Sequence, residues 1–491
     1  MKPDRSLQNN ILIRLLKTIS EDEWKEFEKF TASPYFNKGR NYIPLLKVLK
    51  RFHPGFEDDD FNKEYIYKKL FPGKEYKDSV LNSMFSRLYS IGEEYLVQHA
   101  LNNNDNMVKE KLMMSELLSR GDKLKADNLI EENLDFFEKK KFGVRDFHNL
   151  REIKLEIHKL VHTKFEEEKL YDSLIEIFSD TLNSFFFDIH FYNNIIYSQK
   201  NFWQEDFEKT YIYQILECID MEKVMNIIKK NHKKNYVPLQ LYYLSYKAVR
   251  FIDRDEIYFE LKKYFFGHFD KFDIKFKIII MNNLWRLCSI KAVRGKREFV
   301  METFEIRKKM VEEDLLSGSD HYMQPSEFRS TLIDALNVNK LEWAKKFAEN
   351  NIVKLHPEFR EDIDNYSKAF LAYPEGNYDK AVEYASKLNI NQIIFKLDMK
   401  NMLSKVYYET GSTEPLLSLL NSYYQLINNY GKNESGYSIR HKNFIFYLRK
   451  LSTLKENKIG TLELEMLKKN IEKDNVNSKS WLIKKIDEMI N

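Results

Sequence analysis

The spacing of apolar residues predicts an almost entirely α-helical chain. Apolar positions recur three and four residues apart, which is the period of one face of an α-helix. The pattern is clear at Val80, Leu81, Met84, Phe85, Leu88 and Tyr89. No proline occurs between Gly73 and Tyr236, and no glycine between Gly143 and Gly267, so the strongest helix breakers are missing from long stretches. We therefore predict an all-α fold.

The first hundred residues differ from the rest and are expected to form a small helical module. Helices are predicted over 11–17, from a capping box at Ser20–Glu23, and near 42–52, 62–70 and 78–102. The polar run at 102–106 then interrupts the helical pattern. We place the boundary of this N-terminal module there and assign residues 1–105 to it.

Beyond that boundary, a turn followed by a helix start recurs along the chain. The best copy is Gly376–Ala381, and related runs begin at Gly121, Asn339 and Gly411, with degenerate forms at 220–224 and 253–257. The packing residues Ala344, Ala381 and Leu416 lie 37 and 35 positions apart. That spacing is near the period of roughly 34 residues found in tetratricopeptide repeats.

The run 376–384 resembles the middle of a tetratricopeptide repeat, and Leu403, Ser404 and Tyr407 resemble that family's first-helix packing positions. The resemblance implies a right-handed α-solenoid of helical hairpins. It is best over 326–430, although Lys368 stands where the family has an apolar residue. The expected divisions are a degenerate repeat region at 106–320, tetratricopeptide-like repeats at 321–435 and C-terminal capping helices at 436–491. The N-terminal segment is also similar to an uncharacterised bacterial family, which brings no function with it.

In that family, the first helix of each pair lines a concave groove that binds peptides. Carried over by position, the groove residues here are Arg329, Tyr366, Phe370, Asn401, Lys405 and Tyr408. Aromatic side chains beside cations suit an extended peptide with an acidic end. The alternative is that the rings of Tyr366 and Phe370 pack between repeats. We expect a non-catalytic adaptor or scaffold with a protein or peptide partner.

A second hypothesis is a ligand-responsive regulator that binds nucleic acid through its N-terminal module. Helix 62–70 and the helix from Asp78 loosely resemble a helix-turn-helix motif, although the connection 71–77 is longer than that motif's usual turn. The polar side of the second helix carries Ser79, Asn82, Ser83, Ser86 and Arg87. Charges in this module are mixed rather than basic.

Composition offers little support for other classes of protein. Lys and Arg number 79 against 75 Asp and Glu, so the chain creates no global field for nucleic acid or anionic lipid. The basic clusters at 229–234 and 294–297 are explained by helix ends, where cations complement the dipole. The pair His158 and His162 supplies too few ligands for a metal, and the acidic run 57–60 lacks the spacing of a calcium loop.

No catalytic motif or cofactor motif is recognisable, so we expect neither an enzyme nor a bound cofactor or metal. The only cysteines, Cys218 and Cys288, both have apolar neighbours and are expected to be buried thiols. Apolar stretches are too short for a membrane span, and the chain is expected to be cytoplasmic. The sequence gives no indication of oligomeric state.

Overall fold

The computed structural model describes residues 5–37, 39–103, 107–163, 167–203, 209–231, 233–317, 322–430, 436–457 and 461–490. These residues form α-helices joined by short connections, with isolated bridges such as Phe142 with Phe272 and no β-strand among them. The predicted all-α fold is confirmed. None of the described helices is long and apolar enough to cross a lipid bilayer.

The chain divides into two compact units, the first comprising Met1–Asn133 with Leu155–Glu167 and the second Leu134–Lys154 with Glu168–Asn491. The helices that begin in the first unit before residue 133 are α1 (Arg5–Gln8), α2 (Ile11–Thr18), α3 (Glu21–Ala32), α4 (Ile43–Lys50), α5 (Lys63–Leu70), α6 (Asp78–Asn103), α7 (Met107–Ser119) and α8 (Lys123–Lys139). Helix α9 (Asp146–Thr163) contributes to both units. The four divisions expected from the sequence stay a prediction.

The first unit is built around the long helix α6, which packs on α2 and α3. Its core includes the fully buried side chains of Trp24, Phe27 and Phe61. The capping box at the start of α3 is present, since Ser20 Oγ accepts from the Glu23 N–H at 3.3 Å and the Glu23 carboxylate accepts from the Ser20 N–H at 2.8 Å. These two bonds satisfy backbone donors that the first helical turn leaves without intrahelical partners.

The second unit is a solenoid-like array in which most helices pack on the next helix in the chain. After α9, the first five helices of this unit are α10 (Glu167–Trp203), α11 (Tyr211–Glu217), α12 (Met221–Asn231), α13 (Lys233–Arg250) and α14 (Asp255–Gly267). They are followed by α15 (Ile274–Val293), α16 (Glu298–Glu312), α17 (Pro325–Asn337), α18 (Leu341–Asn351), α19 (Pro357–Ala372) and α20 (Tyr378–Ser386). The array ends with α21 (Ile393–Glu409), α22 (Thr413–Tyr430), α23 (Gly436–Asn457), α24 (Thr461–Lys473) and α25 (Lys479–Ile490).

The turns recognised in the sequence share one backbone geometry. At Gly121, Asn339, Gly376 and Gly411 the φ angle is positive, between 58° and 84°. In each case the N–H of that residue donates to the carbonyl three positions back, and the next N–H donates to the carbonyl five positions back. This is the Schellman ending of a helix, which favours glycine because a β-carbon is disfavoured at positive φ. The small residues that follow, Ala344 and Ala381, are fully buried, so neighbouring helices approach closely there.

The two cysteines have different surroundings. Cys288 is buried on α15, as expected, but the prediction of a buried thiol is wrong for Cys218, which is exposed. Cys218 is the residue that ends α11, and its thiol donates to the carbonyl of Gln214 at 3.3 Å. Beyond the last turn of a helix a side chain has fewer neighbours, and the apolar residues near it in sequence do not cover it.

Candidate partner-binding site

The predicted groove residues lie on three helices of the second unit that alternate with α18 and α20. Arg329 is on α17, Tyr366 and Phe370 are on α19, and the other three are on α21. These are the first helices of successive hairpins, as the repeat pattern requires. Contacts between their polar groups show which of the predicted residues come together.

Asp398 on α21 connects the three helices. Its carboxylate accepts two hydrogen bonds from the Arg329 guanidinium, one of them from Nη2 at 2.7 Å, and a third from the Tyr366 hydroxyl at 2.8 Å. Only 16% of the Arg329 side chain and 12% of the Asp398 side chain are exposed. A bidentate pair with so little water around it fixes the geometry of both partners.

The aromatic residues of α19 face inward. Tyr366 is fully buried, and its ring lies 4.6 Å from that of Phe370 and 5.0 Å from that of Phe395. Phe370 is half-buried and packs against the main core. In this structure the ring of Tyr366 has no face open to a peptide. Whether either residue contacts a partner stays a prediction.

Asn401 and Lys405 lie one turn apart on α21, on the face that carries Asp398. The Asn401 side-chain oxygen accepts a hydrogen bond from Ser478 Oγ at 2.9 Å. Its amide nitrogen is buried and has no hydrogen-bond partner within the described part of the chain. Burial lowers the pKa of Lys405 to about 8, while the negative charge of Asp398 acts in the opposite direction. The Lys405 ammonium lies 5.9 Å from the centre of the Trp481 ring.

Tyr408 completes this face of α21 and is also buried. Its ring lies 5.4 Å from the Trp481 ring in an edge-on arrangement, and its hydroxyl donates to Met489 Sδ at 3.6 Å. The Lys455 ammonium lies over the ring at 4.5 Å. Burial raises the pKa of Tyr408 to about 12. Since Trp481 and Met489 belong to α25, the C-terminal helix covers the part of α21 that was expected to line a groove.

A second group of buried charges extends the polar region toward α15. Arg307 forms an ion pair with Glu327, and its guanidinium lies 4.0 Å from the Trp285 ring centre. The Trp285 N–H donates to the Asp334 carboxylate at 2.5 Å. Burial raises the pKa of Asp334 to about 6, although the Trp285 bond and the positive charges of Arg307 and Arg329 lower it.

The structure joins some of the predicted residues around one that was not predicted, while their contact with a partner stays a prediction. Arg329, Tyr366 and Asn401 were identified by their repeat position, and they do meet, directly or through α21, beside Asp398. Asp398 itself is three residues before Asn401, and this helical spacing was the available signal. The contributions of Ser478 and Trp481 had no local signal, since α25 is far away in sequence.

The helix pair proposed to resemble a DNA-binding motif keeps its polar side exposed. Ser79, Asn82, Ser83, Ser86 and Arg87 all lie on the open face of α6. The Asp78 carboxylate at the start of this helix accepts hydrogen bonds from Tyr76 at 2.7 Å and Lys63 at 2.9 Å, and both lower its pKa, the Tyr76 bond most. Asn82 on the polar side of α6 also donates to this carboxylate, at 2.6 Å, so an anionic group stands at the start of that side.

The basic run 294–297 has acidic partners inside the protein. Arg294 and Lys296 of the basic run 294–297 pair with Asp253 at 2.8 Å and Asp255 at 2.6 Å. Within the residues that the structure describes, no three His, Cys, Asp or Glu side chains are placed to share a metal ion. No family model, curated protein or solved structure matches this chain.

Proposed function

We propose that this protein is a non-catalytic adaptor that binds an acidic segment of a partner protein along α17, α19 and α21. The solenoid-like stacking of hairpins and the resemblance of residues 326–430 to tetratricopeptide repeats support this function, because such arrays present a long face for recognition. As part of the same proposal, the adaptor works in the cytoplasm.

The observation that carries the proposal is a pair of hydrogen-bond donors on α21, the Asn401 amide and the Lys405 ammonium, that are poorly compensated by acceptors. The Asn401 amide nitrogen is buried and has no partner among the residues that the structure describes, and Lys405 is a cation whose pKa is lowered by burial. A buried donor without an acceptor costs about 1–3 kcal/mol, and a desolvated ammonium is stabilised by a nearby carboxylate. The two donors lie one turn apart on α21, and a ligand carboxylate is the group that suits each of them, which is why we assign an acidic ligand to this face.

The test uses affinity capture with the tagged full-length chain, followed by binding measurements on the partner recovered. Lys405→Met should weaken binding roughly tenfold to a hundredfold, as expected for loss of a charge-assisted hydrogen bond. The matched control is Lys400→Met, because Lys400 is a half-buried lysine of the same helix that donates instead to Ser422 Oγ at 2.8 Å. Recovery of no stoichiometric partner, or equal affinity of the two variants, would rule out the proposal.

A second candidate function is nucleic-acid binding by the N-terminal unit. It is supported by cations beside aromatic rings on its surface, since Arg51 and Lys69 lie 5.8 Å and 5.5 Å from the Tyr65 ring centre. Aromatic rings beside cations suit single-stranded nucleic acid, whose bases stack and whose phosphates pair. Anisotropy with labelled oligonucleotides at two salt concentrations tests it, and binding that is absent at low salt excludes it.

A further inference from the structure

The helix α10 presents an apolar face to solvent. Among its exposed large side chains, Tyr171 is 69% exposed, Phe178 63% and Tyr192 57%. The apolar positions follow one another at alternating intervals of four and three residues, the heptad pattern of a coiled coil. The aliphatic positions of this pattern are the exposed Ile175 and Leu182 and the half-buried Ile189 and Ile196, of which Ile189 also packs against the core of the second unit. The aromatic positions are Tyr171, Phe178, Phe185 and Tyr192. We call these eight aliphatic and aromatic positions the stripe.

The opposite face of α10, which packs inside the second unit, is mixed, since the buried ring of Phe187 lies among several buried polar side chains. Asp180, Asn183 and His190 are buried, and Lys154 pairs with the Asp180 carboxylate at 2.6 Å. His190 is enclosed by the rings of Tyr243 and Tyr246 on α13. A helix at a protein surface normally keeps its large apolar side chains on the inward side and polar ones outward. The outward apolar face of α10 is therefore a feature that needs a covering partner.

The exposed apolar area on α10 matches half of a stable dimer interface. The exposed residues of this face are Tyr171, Leu174, Ile175, Phe178, Leu182, Phe185, Tyr192 and Ile195. With roughly 200 Å² for each fully exposed large apolar side chain, their exposed fractions amount to roughly 800 Å². A monomer's largest apolar patch is about 300–600 Å², while each partner of a standard interface buries about 800 Å².

The pattern is complementary to itself when two copies run in opposite directions. An antiparallel pair centred between Leu182 and Phe185 places each aliphatic heptad residue opposite an aromatic one of the other copy, for example Leu182 opposite Phe185 and Ile175 opposite Tyr192. Alternation of large and small side chains fills every layer evenly. A parallel pair instead stacks aromatic on aromatic at the same level.

Charge on α10 also favours the antiparallel arrangement with a second copy. The positions that flank the stripe are mostly uncharged, such as Thr181 and Ser179, so they do not select an oppositely charged partner helix. The acidic residues Asp172 and Glu176 lie near the start of the helix, and antiparallel pairing separates them from their counterparts. Opposed helix dipoles add to this preference.

We propose that the outward face of α10 forms an antiparallel, two-fold symmetric coiled-coil interface with α10 of a second copy of this chain. Such an interface is isologous, since the same patch is used on both copies, and it therefore closes at a dimer. Dimerisation also doubles the number of partner-binding faces. The interface itself does not depend on the function proposed for α21.

Light scattering coupled to size-exclusion chromatography of the full chain tests the proposal. The expected mass across micromolar concentrations is twice that of one chain. Leu182→Lys combined with Phe185→Lys should give the mass of one chain with an unchanged far-ultraviolet circular dichroism spectrum. Glu176→Gln, an exposed change on the same helix outside the stripe that places no second cation beside Lys154, should leave the dimer intact. A wild-type monomer, or a dimer that survives the double change, overturns the proposal. Binding of a different protein to the stripe of a monomeric chain overturns it as well.

Disulfide trapping distinguishes the direction of pairing. In a Cys218→Ser background, which removes the exposed native thiol, Leu182→Cys with Phe185→Cys should form an inter-chain disulfide on mild oxidation, while each single cysteine should not. Rapid cross-linking of either single variant indicates parallel chains, and no cross-link in the double variant indicates that the faces do not meet. Either result contradicts the antiparallel interface.

Discussion

Ser478 donates a hydrogen bond to the side-chain oxygen of Asn401 at 2.9 Å, although the two residues are 77 positions apart in the chain. This contact brings the start of α25 onto the face of α21 that carries Lys405 and Tyr408. The last helix of the chain therefore covers residues that the repeat pattern assigns to partner binding. The predictions below test this arrangement and the buried charges near it.

Trp481→Ala should destabilise the second unit by about 2–3 kcal/mol, since Trp481 is half-buried and a Trp-to-Ala change in a core costs about 3–5 kcal/mol. The indole ring packs edge-on against Tyr408, and its N–H donates to Glu409 at 3.2 Å. Urea unfolding followed by circular dichroism measures the loss. Lys484→Ala, an exposed change on the same helix, should have almost no effect. Equal behaviour of the two variants would show that α25 is not held by this contact.

Asp398→Asn should lower the free energy of unfolding of the second unit by about 3 kcal/mol. The change leaves the Arg329 guanidinium nearly buried without its carboxylate, and breaking such a pair costs about 3–5 kcal/mol. Asp364→Asn is the control, because Asp364 pairs with Lys368 in a largely exposed contact worth about 0.3–0.5 kcal/mol. A loss at Asp398 as small as that at Asp364 would mean that the three helices are not joined at this point.

The stability of the wild-type chain relative to Lys405→Met should rise between pH 8 and about pH 10.4. Burial lowers the pKa of Lys405 to about 8 in the folded protein, against about 10.4 in the unfolded chain. Between these values the unfolded chain holds a proton that the folded protein has released, so the unfolding free energy increases with pH. Denaturation curves at several pH values measure the difference. Parallel stability curves for wild type and variant would show that this ammonium is solvated.

Acidification below pH 6.5 should destabilise the second unit through His190. Burial lowers the pKa of this imidazole to about 3, so the unfolded chain binds a proton that the folded protein does not. One such group costs about 1.4 kcal/mol of stability for each pH unit between the two pKa values. His190→Phe should remove this part of the slope, and His356→Gln, at an exposed position, should keep it. Urea unfolding at pH 7, 6 and 5 provides the comparison, and an unchanged slope in His190→Phe contradicts it.

Local features of the structure could be predicted from the sequence because they depend on neighbouring residues. The capping box at Ser20 and the positive φ angle at Gly376 follow from the chemistry of the residues themselves. The same holds for the close packing at Ala381. Helical periodicity and turn chemistry together were therefore enough to establish an all-α chain with stacked hairpins.

Features that depend on distant residues could not be predicted in this way. Asp398 is recognisable as the centre of the site only when α17 and α19 are placed beside α21. Exposure of the apolar face of α10 depends on which side of the helix packs against α13. The helical period of the apolar residues does not show whether their side faces the protein or the solvent. Cys218 shows the same limit on a small scale, because its sequence neighbours are apolar but do not surround it.

Under the proposed function, the tethering of α25 beside α21 would make this helix a built-in competitor of the ligand. A segment held close to a site by its own chain acts at an effective concentration on the order of millimolar. An incoming acidic peptide that must reach Lys405 therefore binds with an affinity reduced by the fraction of molecules in which the helix is undocked. In the proposed adaptor, a partner that also binds the displaced helix would recover that loss, and α25 would thereby set a threshold that weak, non-cognate peptides fail to pass.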